Sequence, residues 1–143
     1  MFVRDFTIED ITAINELLNK ELGKCVDINI LESTVLNMID DSNYKILVAE
    51  INGNVIGFIG IHFGLAFEIY GKVMRIIALA VKEEYQHHGV GTALLSSAEI
   101  FAQKNNAVII GVNSGLARAS AHSFYENKGF TKKGYSFIKN VEL

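Results

Sequence analysis

Proline is absent from the 143 residues, which leaves twelve glycines to supply most of the punctuation between elements. A single cysteine, Cys25, excludes an internal disulfide and, with nothing nearby in sequence to activate it, reads as a packed side chain. No apolar run approaches the ~18 residues needed to span a bilayer, because Gly57, Gly60, Gly64 and Gly71 interrupt the hydrophobic stretches. The opening Met1-Phe2-Val3-Arg4-Asp5 has neither a basic region nor a long apolar core, so the expectation is a cytoplasmic protein with no membrane partner. Basic excess is lacking too: a formal charge of -3 argues against a nucleic-acid surface. Without repeats, low-complexity tracts or linkers, residues 1–143 are expected to form one domain.

Half the residues are hydrophobic, and their spacing sets out the elements. Phe2 to Phe6 reads as a short strand. Thr7 with Glu9 and Asp10 signals a helix start, and Ile11, Ile14, Leu17 and Leu18 carry helical spacing over about 9–22. Ile30, Leu31, Thr34, Val35 and Met38 predict a second helix. Tyr44 to Ile51 and Val55 to Phe63 are β-rich runs joined through Asn52-Gly53, the preferred pair for a tight hairpin turn. Further along come a strand at Val73–Val81, a helix from Gly89 to Lys104, a strand at Ala107–Val112, a helix at 117–127 and a last strand around Tyr135–Lys139. The order β-α-α-β-β-β-α-β-α-β predicts an α/β chain with a mixed sheet and helices on both faces.

The junction between the strand ending Leu79-Ala80-Val81 and the helix beginning near Thr92 contains Gln86-His87-His88-Gly89-Val90-Gly91. Glycines there let a ligand approach the backbone, and the following helix aims unpaired N–H groups and its positive dipole end at the same spot. An anionic ligand is the natural occupant. The dinucleotide fingerprint fails because Leu94 stands where a third glycine is needed, and the P-loop fails because Gly91-Thr92 lacks the lysine. His87 and His88, adjacent on one turn, make a weak metal site, and no metal is expected.

The remaining pattern, Q-x-x-G-x-G after a strand, resembles the acetyl-CoA loop of the GNAT acetyltransferases, usually written R/Q-x-x-G-x-G/A. A second stretch, Val112 to Arg118 leading into Ala121-His122-Ser123-Phe124-Tyr125-Glu126-Asn127-Lys128-Gly129-Phe130, is similar to the other signature of that family, F-Y-x-x-x-G-F. The resemblance implies a GNAT fold: a mixed, mostly antiparallel central sheet of six to seven strands, splayed in the middle, with about four helices on both faces. It implies acetyl-CoA as cofactor, held by Gln86, His87, His88, Gly89, Val90, Gly91 and Thr92 at the pyrophosphate, by the backbone of Leu79, Ala80 and Val81 along the pantetheine arm, and by Asn113. Tyr125 takes the catalytic position beside the thioester sulfur. Two departures stand out. Histidines occupy loop positions where the family usually has arginine or lysine, and Arg118 stands where many members carry an asparagine.

A phenol of pKa about 10 facing a thiol of about 8.5 is a suitable proton donor to a departing thiolate. A side-chain base for the amine is less evident, since the strand around Ile77 and Ala78 is apolar; His62, Glu68 and Glu84 are weak contributors, and a water chain is preferred. The expected activity is transfer of an acetyl group to a primary amine of a small molecule, aminoalkylphosphonate-like or aminoglycoside-like. The first class needs cations such as Lys72, Arg75 or Arg118, the second carboxylates such as Asp27, Asp40, Asp41 or Glu68. Alternatives are a protein N-acetyltransferase and a non-catalytic acyl-CoA sensor. Family members often dimerise, which implies a homodimer.

Overall fold

The computed structural model describes residues 1–115 and 118–142, in two compact units, Met1–Gly111 and Val112–Leu143. In the first, strand β1 (Phe2–Asp5) leads through a 3-10 turn at Ile8–Asp10 into α1 (Ile11–Leu22), then α2 (Ile28–Ile39), β2 (Tyr44–Ile51), β3 (Asn54–Gly64), β4 (Lys72–Val81), α3 (Val90–Lys104) and β5 (Ala107–Val112). The second contains α4 (Ala119–Asn127). Sheet order is β1-β2-β3-β4-β5, antiparallel from β1 through β4.

Local chemistry accounts for most of these boundaries. Asn52 and Gly53 both adopt positive φ, 50° and 80°, as a two-residue turn matched to strand twist requires. Gly23 closes α1 in the left-handed region at φ 64°, and Asp27 caps α2 by accepting hydrogen bonds from the N–H groups of Asn29 and Ile30. Asp10 does more than start a helix. Its buried carboxylate takes both ends of the Arg4 guanidinium at 2.8 and 2.9 Å and also the Thr7 N–H at 2.8 Å, while Arg4 Nε reaches Glu50 at 3.0 Å.

Helices cover both sheet faces. Ile11, Ile14 and Leu17 of α1 and Leu31 and Val35 of α2 pack with Ile46, Val48, Phe58 and Ala80 on one face. On the other, a Cβ at Gly57 would meet Val90 and Leu94 of α3 at 3.3 Å and the Ala80 carbonyl at 3.0 Å. Gly57 therefore lets the start of α3 lie close against the end of β4. Ile77 is a bulge in β4, since Gly60 pairs with Ala78 and Ile61 with Ile76. A bulge of this kind bends the strand and re-aims its end.

Four expectations differ from the structure, the first being Cys25, which is exposed and not packed. The sheet has five strands among the described residues, not six to seven, because Tyr135–Lys139 forms no strand. Tyr135, Phe137 and Ile138 are 78%, 91% and 93% exposed, and the consecutive Phe137-Ile138 breaks the alternation that suits a half-buried ladder. The helix predicted over 117–127 is observed as Ala119–Asn127; Leu116 and Ala117, part of the second motif, lie outside the described residues. The first helix starts at Ile11 because residues 8–10 form the 3-10 turn that brings Asp10 back to Thr7.

Candidate functional site

Backbone direction at the end of β4 decides which groups a ligand could use. The Lys82 N–H donates to the Ile56 carbonyl of β3 at 2.8 Å, so in the same trans peptide the Val81 carbonyl points away from β3. Pairs along an antiparallel ladder alternate between bonded and non-bonded. With Gly57 opposite Val81, Phe58 opposite Ala80 and Ile59 opposite Leu79, the backbone groups of Leu79 and Val81 face away from β3 and those of Ala80 face it.

Beyond β4 the chain turns at Glu83–Tyr85 and enters the glycine loop. His87 has φ 64° and Gly89 φ 86°, with His88 between them at negative φ. This alternation is the backbone pattern of anion-binding nests. Gly89 is the N-cap of α3, and no side chain caps the helix. Ala93 is the first N–H of α3 to find a backbone acceptor, the Gly89 carbonyl at 3.0 Å, which leaves Val90, Gly91 and Thr92 with N–H groups available to an anion at the positive end of a 15-residue helix. The loop and helix thus fit a diphosphate, judged by the uncapped N-terminus and the alternating backbone.

The loop side chains behave less uniformly than the motif suggests. His87 and His88 are both exposed. His88 Nδ1 lies 2.7 Å from the Gln86 carbonyl, which can only accept, so Nδ1 carries the proton and a neutral His88 presents an acceptor at Nε2. Only the imidazolium offers a second N–H to a phosphate. Gln86 turns its amide inward: Nε2 donates to the Val81 carbonyl at 2.9 Å and to Glu21 of α1 at 3.1 Å. The pair Gln86–Glu21 spans 65 positions and carries no local sequence signal.

In the second unit, Tyr125 is 8% exposed, with its ring edge-on to Phe124 and Phe130 at centroid distances of 5.5 Å. Burial pushes its phenol above the ordinary value, against the opposing positive charge of Arg118, so the group is protonated and able to donate. Asn113 is exposed, whereas the Ser114 hydroxyl oxygen is buried with no hydrogen-bond partner among the described residues. Ser114 lies inside the second motif, where nothing in the pattern gave it a role. His122 Nε2 at 2.8 Å from the Gly115 carbonyl ties α4 to the strand-to-helix turn.

The other named side chains lie elsewhere. His62 lies with its ring tilted against Tyr44 at a centroid distance of 4.5 Å and pairs in register with Arg75, about 15 Å along β4 from Ala80, too far to serve the same reacting atom. Glu68 and Glu84 are exposed. Asp27 is engaged in its cap, and Asp41 accepts from the Asn43 N–H. A larger recess, about 430 Å³, lies at the far end of the first unit's sheet, lined by Asp5, Tyr44, Lys45, Phe63 and Phe101, and shares no residue with the loop.

Comparison with known proteins decides the family. The model of the acetyltransferase (GNAT) family matches residues 11–130. This chain belongs to the GNAT acetyltransferase family. It is an acyltransferase, of a family that uses acetyl-CoA as cosubstrate. Aminoalkylphosphonate N-acetyltransferase of Salmonella typhimurium is 25% identical over 137 residues, covering 96% of this chain and 89% of that protein. A GNAT family acetyltransferase of Staphylococcus aureus is 25% identical with a TM-score of 0.78 over 98% of both chains. An aminoglycoside 6'-N-acetyltransferase of Acinetobacter haemolyticus, 17% identical, shares the fold with a TM-score of 0.83 over 99% of this chain and all of that one. No described helix of this GNAT protein is long and apolar enough to cross a membrane.

Proposed function

We propose that residues 1–143 act as one GNAT domain that binds acetyl-CoA and acetylates a primary amine of a small molecule. The observation that carries this is the uncapped start of α3 behind a loop of alternating φ, placed at the end of a strand whose Leu79 and Val81 backbone groups face away from β3. The family match runs across the boundary between the two compact units, which supports treating them as one functional domain.

Acetyl-CoA supplies an activated acetyl thioester. The N–H groups of Val90, Gly91 and Thr92 hold its diphosphate, with His87 and His88 at the rim, and Leu79 and Val81 pair with the pantetheine amides as an added strand would. Asn113 is carried over from the family resemblance as a further contact to acetyl-CoA. The amine nitrogen bonds to the acetyl carbon, the carbon–sulfur bond breaks, and Tyr125 gives its proton to the departing sulfur. The ammonium proton leaves through water, since Ile77 and Ala78 offer no side-chain base.

Gly89→Ala tests the loop. A side chain at φ 86° costs roughly 1–2 kcal/mol, while nothing within 4 Å obstructs the added carbon, so the effect is one of backbone conformation alone. Acetyl-CoA binding should weaken about tenfold by calorimetry.

The acceptor is read as an aminoalkylphosphonate-like amine, on the likeness that extends over 96% of the chain. Release of free CoA across a panel of an aminoalkylphosphonate, an aminoglycoside, a polyamine and a lysine peptide tests this. Release with the phosphonate alone supports the reading. Preference for the aminoglycoside or the peptide replaces the acceptor class, and no release with tight acetyl-CoA binding favours the sensor module.

A further inference from the structure

The peptide joining Val81 to Lys82 is held from both sides: its N–H by the Ile56 carbonyl at 2.8 Å and its C=O by the Gln86 amide at 2.9 Å. The second Gln86 N–H goes to Glu21 near the end of α1 at 3.1 Å, so both donors of the amide are committed within the protein. We infer that Gln86 is a positioning residue, a tie from α1 to the last peptide of β4 that sets where the phosphate loop departs and leaves the Val81 N–H, which faces away from β3, as the last donor on that side of the strand. This rests on the acetyl-CoA reading and deepens it, because it removes the Gln86 side chain from the ligand contacts and gives it to the backbone that makes them.

A carbonyl at a strand end without a partner is free to tilt or to compete for the cofactor arm. Bound by Gln86, it does neither. Glu21 fixes the amide's orientation, since an amide whose other N–H points to a carboxylate cannot flip its oxygen toward the Val81 carbonyl without setting two acceptors together. The groups around the tie are Glu16 and Lys20 of α1 and Lys82, Glu83 and Glu84 of the turn, which line one shallow cleft with Glu21.

The test compares Gln86→Leu, Glu21→Gln, Glu21→Ala and the double variant Gln86→Leu/Glu21→Ala in the full chain. Gln86→Leu is expected to raise the KM for acetyl-CoA about tenfold with kcat within about twofold. Glu21→Gln keeps an acceptor and should stay near wild type, Glu21→Ala should raise KM about threefold, and the double variant should be no worse than Gln86→Leu. An unchanged KM for Gln86→Leu overturns the tie. So does a silent Glu21→Ala or an additive double variant, either of which assigns Gln86 a direct ligand contact. Amide hydrogen exchange of the ligand-free protein separates the tie from the function: Gln86→Leu should speed exchange across 82–92 and leave β2 and β3 unchanged, even in a protein that bound no acetyl-CoA. Unaltered exchange in that segment also refutes it.

Discussion

Replacing Tyr125 by Phe should lower kcat for acetyl transfer about 100-fold while leaving the dissociation constant of acetyl-CoA within about twofold. The ring keeps its edge-on contacts with Phe124 and Phe130, so the change removes one hydroxyl and little packing. A thiolate expelled without a donor carries its full charge, whereas the ground-state complex has no charged sulfur to stabilise; the loss therefore falls on the rate and not on binding. Burial holds the phenol above its ordinary pKa, so Tyr125 is protonated throughout the neutral range and adds no limb to the kcat profile below about pH 10. Stopped-flow release of CoA at saturating substrate measures the effect. An unchanged kcat in a chemistry-limited assay removes Tyr125 from the reaction.

Asp10→Ala should be the most damaging of the surface-proximal substitutions to stability. The carboxylate is 7% exposed and accepts two hydrogen bonds from Arg4, one from the Thr7 N–H and a longer one from the Thr7 hydroxyl, all of which lose their acceptor when it is removed. Breaking a buried, hydrogen-bonded ion pair costs about 3 kcal/mol, softened here because Arg4 retains Glu50. For a chain of this size that is a fall in Tm of about 10 °C. The same pair gives stability a pH dependence. The Arg4 hydrogen bonds hold the Asp10 carboxyl below its ordinary pKa, so its contribution is present above the unfolded value near 4 and is lost as pH falls below it. Wild type should lose stability on acidification from about pH 5, and Asp10→Ala should show a flatter curve over that window. Equal slopes for the two proteins would contradict the assignment.

Much of the fold was legible because it is coded locally. Asn52-Gly53 requires positive φ at both positions and so specifies the hairpin, and the glycines at 89 and 91 mark the loop that leads into the uncapped start of α3. What sequence did not show depends on partners far away in the chain. Asp10 reads as a helix-start residue, and only the fold shows that the Arg4 paired with it is also held by Glu50, 46 positions from Arg4; likewise no local pattern announces that the Gln86 amide donates to Glu21, 65 positions away. The register supplied a further distinction that a run of Leu79-Ala80-Val81 cannot carry: only alternate residues turn their backbone away from β3. The strand expected at Tyr135–Lys139 failed for the complementary reason, since β-propensity names a capacity to pair and not a partner.

Amide hydrogen exchange of the protein with and without acetyl-CoA tests the central claim most directly. Protection on binding should concentrate at Leu79 to Val81 and at 87–93, the strand end and the start of α3. Protection confined to the recess around Asp5, Tyr44 and Phe101, or none at saturating acetyl-CoA, would contradict it.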